Sequence, residues 1–162
     1  MPSHRAHVEE LLAAAAAEHA ALLEIATPEL RASLPVDAQG VTRAIDDLAT
    51  AAGLSDAERR ALIRPHAVNP AVMHARVFGR APLARETIVA SFVDGARVRA
   101  DALVGLADVV GGEGLGARVR SLLAEHPPPV TAEGEDVVPA LQATYAAQER
   151  AALDIAAALD ER

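Results

Sequence analysis

The chain has no cysteine, no tryptophan and no lysine. Without cysteine there can be no disulfide framework, no thiolate metal site and no thiol nucleophile. Arginine therefore supplies every strong cation, and with the excess of Ala, Val, Gly and Pro this is the composition a GC-rich bacterial genome produces. Aromatic residues are nearly missing, with two Phe and one Tyr. A core must then be filled by small aliphatic side chains, which let helix axes approach closely and leave few deep pockets. Positive charge is also scarce: the net charge is −8, and no basic patch is visible to neutralise phosphates, so nucleic acid is not an expected partner. Long uninterrupted apolar runs are absent, since even the most apolar stretch carries charge every few residues, and no membrane span is expected. Residues 1–7 lack the charged start and apolar run of a signal peptide, so the expected location is the cytoplasm.

What is present is helical periodicity. Over residues 82–110, Val89, Val93, Ala96, Ala100, Leu103, Ala107 and Val110 recur at alternating steps of four and three, and Ile88, Phe92, Gly95, Ala102, Leu106 and Val109 form a neighbouring stripe. Two adjacent stripes predict burial over most of the circumference, so this segment is expected to be a long central apolar helix. No segment alternates with the period of a strand. The expected fold is all-α: a single-domain helical bundle, residues 1–162, of six to eight helices around that central one.

Boundary signals divide the rest. Ser3 can cap a first helix reaching about Ala26, and Thr27 with Pro28 makes a new start. Asp37 or Gly40 opens a helix that Gly53 stops. Ser55 and Glu58 form a capping box, and Pro65 ends the helix it begins. Asn69 and Pro70 start another, reaching about Gly79. Gly111 and Gly112 are expected to end the central helix, and Leu115 to begin the next. Residues 126–136, with three Pro, a Gly and three acids, read as a Pro-rich linker before a C-terminal helix, 137–160. The seam of that last helix is Leu141, Tyr145, Gln148, Ala152, Ile155 and Leu159.

The first and last helices echo each other at a constant offset: Leu11 falls on Leu141, Ala21 on Ala151, Leu23 on Leu153, Ile25 on Ile155 and Glu18 on Gln148. Glu18 and Gln148 both interrupt apolar seams. Arg99 interrupts the apolar side of the central helix, and a guanidinium there needs a carboxylate. Glu18 is the expected partner, with His19 and Gln148 completing an internal polar cluster that could take a small-molecule ligand. Arg99 reaching past Ala to solvent is the competing reading.

Catalytic templates fail. There is no Glu-x-x-His pair of the ferritin-like kind, no phosphate loop, no Gly-x-Ser-x-Gly elbow and no dinucleotide fingerprint. No catalytic residue, metal ligand or cofactor is assigned. A helix-turn-helix reading would use 55–64 and a recognition helix at 70–78, against the acidic balance and the apolar Val72, Met73 and Val77. Glu113, Gly114, Leu115, Gly116, Ala117, Arg118 and Val119, within 103–123, resemble the turn-plus-helix of the repeat in Clp ATPase N-terminal domains; the Gly-rich loop leading into Thr-Glu-His is missing. That resemblance implies a protein-binding module over an enzyme.

The sequence thus favours a non-catalytic helical protein-binding or self-association module acting through an exposed Ala/Leu helix face. The C-terminal helix, with its second flank Ala140, Ala147, Ala151 and Ala158, is the expected homodimer surface. The alternatives are a bundle with an internal small-molecule or ferritin-like metal site, with or without enzymatic activity, and a helix-turn-helix regulator.

Overall fold

The computed structural model describes residues 2–28, 31, 37, 39–63 and 85–162. Among them are five helices and no strand: α1 (His4–Ile25), α2 (Gln39–Ala51), α3 (Asp56–Ile63), α4 (Arg85–Glu125) and α5 (Val137–Asp160). The helices expected near residues 28–34 and 69–79 fall wholly or mostly outside the described residues.

The start of α1 is capped twice. The Oγ of Ser3 accepts from the Ala6 N–H at 3.1 Å, and the Asp160 carboxylate, at the end of α5, accepts from the N–H groups of His4 at 2.7 Å and Arg5 at 3.1 Å. These bonds take up orphan donors of the first turn and place a negative charge at the positive end of the helix. They also bring the start of α1 to the end of α5.

Asp37 accepts from the Gln39 N–H at 3.0 Å where α2 begins. The stop is the one predicted at Gly53, whose φ of 82° lets Gly53 N–H reach Thr50 O and Leu54 N–H reach Ala49 O. The capping box of α3 also forms, with Glu58 accepting from Ser55 N–H at 2.7 Å and Ser55 Oγ from Glu58 N–H at 3.2 Å.

Residues 85–125 comprise two helical stretches joined at Gly112, whose φ of 69° and ψ of −163° are not helical. The break falls at the glycine pair expected to end the central helix, with Gly112 taking the positive φ that glycine permits. The first stretch ends on the carbonyls of Val109 and Val110, which accept from Arg162 Nη2 at 3.1 and 2.8 Å. A side chain at Gly116 would land on the Asp108 carboxylate, which bridges the join to Arg120 at 3.0 Å.

One cluster of buried residues draws on α1, α2, α4 and α5, with Ile45, Leu48, Leu103, Leu106, Leu141 and Ile155 among its largest fully buried members. The α4 seam from Val89 to Val110 is buried except Ala100, which is half-buried. On its neighbouring stripe Ala102 and Leu106 are buried, Ile88, Phe92 and Gly95 are half-buried, and Val109 is 51% exposed. The most extensively packed helix among the described residues is α5. It packs most extensively on α4, then on α1 and α2, and every member of its predicted seam is buried. Its second flank is also used internally: Ala147 and Ala151 are buried and Ala158 half-buried, leaving Ala140 exposed. The linker at 126–136 is strapped down, since Thr144 Oγ1 donates to His126 O and Pro127 O at 2.9 Å each and Arg97 donates to Pro129 O at 2.9 Å.

Candidate functional site

The seam between α4 and α5 holds the buried polar groups. Arg99 on α4 is 5% exposed, and Tyr145 and Gln148 on α5 are 4% and 0% exposed. The arrangement is reciprocal. Gln148 Nε2 donates to Ala96 O at 2.7 Å, one turn before Arg99; the Arg99 guanidinium lies 5.5 Å from the ring centre of Tyr145, one turn before Gln148. Local structure dictates the pose. Helical side chains point toward the N-terminus, so Arg99 folds over Gly95, where an added Cβ would stand 2.9 Å from Nη1. Glycine at that position leaves the space the guanidinium occupies.

The geometry leaves three polar atoms unserved. Nε and Nη2 of Arg99 and Oε1 of Gln148 are buried and have no hydrogen-bond partner among the described residues. No ion pair between described residues includes Arg99. Burial lowers the proton affinity of Arg99, with the neighbouring Tyr145 acting in the opposite sense. Burial pushes the Tyr145 phenol well above its ordinary value, so it stays neutral and offers no counter-charge. Its ring face attracts the cation by roughly 2 kcal/mol when desolvated, but a ring face accepts neither of the two in-plane N–H groups. The Tyr145 hydroxyl accepts from Val41 N–H at 3.4 Å, tying the seam to α2. Glu149, half-buried beside it, is raised by burial and by Asp37.

Two of the four expected site residues, Arg99 and Gln148, therefore meet in this seam, and two do not. Glu18 is exposed and pairs at 3.1 Å with Arg43 of α2. Beyond Ala15, the last buried residue of α1, only His19 and Leu23 of the helix are half-buried, so the seam that Glu18 interrupts is not an interior one. His19, half-buried one residue on, stays with it on α1. Sequence reasoning missed Tyr145 as a site residue. The available signal was its place as the single Tyr of the chain, one turn from Gln148 on the same stripe.

Elsewhere the surface offers less. Among the described residues no group of three or more His or acidic side chains could hold a metal ion, which leaves a ferritin-like site without a donor set there. His7 is engaged by Asp47 at 2.8 Å, and His66 and His74 lie outside the described residues, as does the recognition helix of the helix-turn-helix reading. No helix among the described residues is long and apolar enough to cross a membrane. A depression of about 410 Å³ on the outer side of α4 and α5 is lined by exposed residues of both charges, including Arg118, Glu125, Arg150 and Asp154.

No protein-family model, curated protein or solved structure matches the chain.

Proposed function

We propose that the chain is a non-catalytic helical binding module that docks a helix of another protein on the distal half of α1. One observation carries this reading. The helix continues to Ile25, yet nothing beyond Ala15 is buried, and Ala16, Ala17, Ala20, Ala21, Leu22 and Ile25 face solvent, Leu22 at 40% and Ile25 at 83% exposure. Burying a Leu or Ile side chain is worth about 1.5–3 kcal/mol each, and a helix that holds such residues in water has a surface suited to a partner. The Ala positions permit close approach of a second helix axis.

Charge selects the occupant. Over residues 16–25 the charged groups are Glu18, which Arg43 pairs, and Glu24, with no Arg, so the partner helix carries a basic residue beside Glu24. A second copy docked on the same face would bring the two Glu24 carboxylates near each other, which disfavours self-association there. The Ala flank of α5, largely covered within the chain, supplies less surface for a dimer.

The test uses a fluorescent amphipathic Leu/Lys model helix as probe, read by anisotropy. The wild-type chain is expected to bind it saturably, and Leu22→Glu with Ile25→Glu to weaken binding at least about tenfold, a loss of some 1.4 kcal/mol, with an unchanged thermal melt. Equal binding by both chains would overturn the reading, and a concentration-dependent dimer in light scattering would assign the face to self-association.

A further inference from the structure

The Pro-rich strap between α4 and α5 carries a second inference, independent of the α1 surface. Pro127, Pro128, Pro129 and Val130 follow one another in it, and covalent geometry dictates their shape. Each pyrrolidine ring holds φ at about −65°, and a residue that precedes proline is pushed to an extended ψ. Pro127 and Pro128 meet both conditions, which together make the backbone of a polyproline II helix. Such a helix has about three residues per turn, so residues 127 and 130 share one edge. The exposures follow that period. Pro127 is exposed, Pro128 and Pro129 are half-buried, and Val130 is 91% exposed, the most of any large hydrophobic side chain among the described residues.

The opposite side of the strap is already bonded. Thr144 Oγ1 donates to His126 O and Pro127 O at 2.9 Å each, and Arg97 Nη2 donates to Pro129 O at 2.9 Å. These bonds pin the strap to α5 and α4 by its carbonyls and leave a Pro/Val edge outward. A segment held this way loses little conformational freedom when a partner takes it. Its surroundings are acidic. Glu125, Glu133, Glu135 and Asp136 are exposed, and none of them enters an ion pair between described residues.

We infer that the Pro127/Val130 edge is the docking segment for a polyproline II reader, a groove on another protein lined by aromatic rings and rimmed by Lys or Arg. Aromatic-lined grooves take extended proline segments because these are preformed and cost little to order. The four carboxylates select among such grooves: an acidic rim is repelled and a basic rim is drawn in. The same carboxylates exclude a phosphate backbone as the occupant.

The experiment titrates the intact chain into a WW domain with a Lys/Arg rim and, in parallel, into an EVH1 domain with a basic rim. Binding is read from the Trp fluorescence of each domain, which the chain cannot obscure because it has no tryptophan. At least one of the two is expected to respond saturably, and the same domain with its rim changed to Glu to bind at least about fivefold more weakly. Pro127→Ala with Val130→Ser removes the edge at two exposed positions and is expected to weaken binding at least about tenfold, with an unchanged thermal melt. Leu22→Glu with Ile25→Glu, which alters only the α1 face, is expected to bind as wild type does. Absence of a saturable response with both domains overturns the inference. So does equal binding by the Glu-rimmed domain, unchanged affinity in the Pro127 and Val130 variant, or loss of binding in the α1 variant.

Discussion

Ile25 in α1 and Ile155 in α5 hold matching places in two similar stretches of sequence, yet Ile25 is 83% exposed and Ile155 is fully buried. The contrast repeats along both helices. Ala21 is exposed where Ala151 is buried, and Glu18 is a half-wet partner of Arg43 where Gln148 is a buried partner of a backbone carbonyl. Local sequence makes both stretches helical and apolar, since Ala and Leu favour helix and nothing breaks the run. Whether the apolar side becomes core depends on a neighbour reaching it. α5 has α1, α2 and α4 against it, whereas α1 has no fully buried residue beyond Ala15.

The comparison can be broken most forcefully by truncating the two isoleucines. Ile155→Ala should cost about 2–5 kcal/mol, lost burial plus the cavity left behind, whereas Ile25→Ala should stay within about 0.5 kcal/mol; chemical denaturation of both variants measures the difference. Equal effects would mean that the distal half of α1 is covered after all.

The polar members of the two stretches sharpen it. Arg99→Met removes the buried cation beside Gln148 and should raise stability by about 1–4 kcal/mol, as replacing buried charge with apolar volume often does. Glu18→Gln, which removes one member of an exposed pair, should change it by no more than about 1 kcal/mol. Thermal unfolding reads both, and destabilisation by Arg99→Met would show that the guanidinium is better satisfied than its geometry indicates.

A smaller loss, about 1 kcal/mol, is expected for Tyr145→Phe, which deletes the acceptor of Val41 N–H at the long distance of 3.4 Å. The smallest effect lies where the two helices join. The N–H of Arg5 lowers the Asp160 carboxyl below its usual range, desolvation opposes that, and the His4 N–H adds a lesser lowering. A depressed folded pKa means the cap is at full strength above the ordinary carboxylate range and is lost as pH falls through the lower folded value. The difference in Tm between wild type and Asp160→Asn should therefore shrink as pH falls from neutral to below the carboxylate range, and a constant difference would remove the cap from the account.

Much of this was legible in the chain. The stop at Gly53 and the capping box at Ser55 were, because each is decided by a few adjacent residues. The α5 seam was legible because one stripe of Leu141, Tyr145, Gln148, Ala152, Ile155 and Leu159 faces one side whatever packs there. Burial of Gln148 followed from the same stripe; for Arg99 the sequence showed its place on an apolar side but left open that its head reached solvent, which its 5% exposure overturns. What periodicity cannot supply is the identity of the neighbour. It named Glu18 as the partner of Arg99 because both interrupt apolar stripes, and it offered Ala147 and Ala151 as an outer surface when α5 uses them internally. The break at Gly111 and Gly112 was legible as well, since a positive φ is what glycine permits and Gly112 takes it at 69°, while Leu115 and Val119 beyond it are buried in the same core as Val110.

The absence of native cysteine allows the central contrast to be measured directly. Single variants Ile25→Cys and Ile155→Cys can be followed for their rate of reaction with a soluble thiol reagent under native conditions. The account predicts that the thiol in α1 reacts at nearly the rate of an unfolded peptide while the one in α5 is protected by orders of magnitude. Comparable rates at the two positions would contradict it.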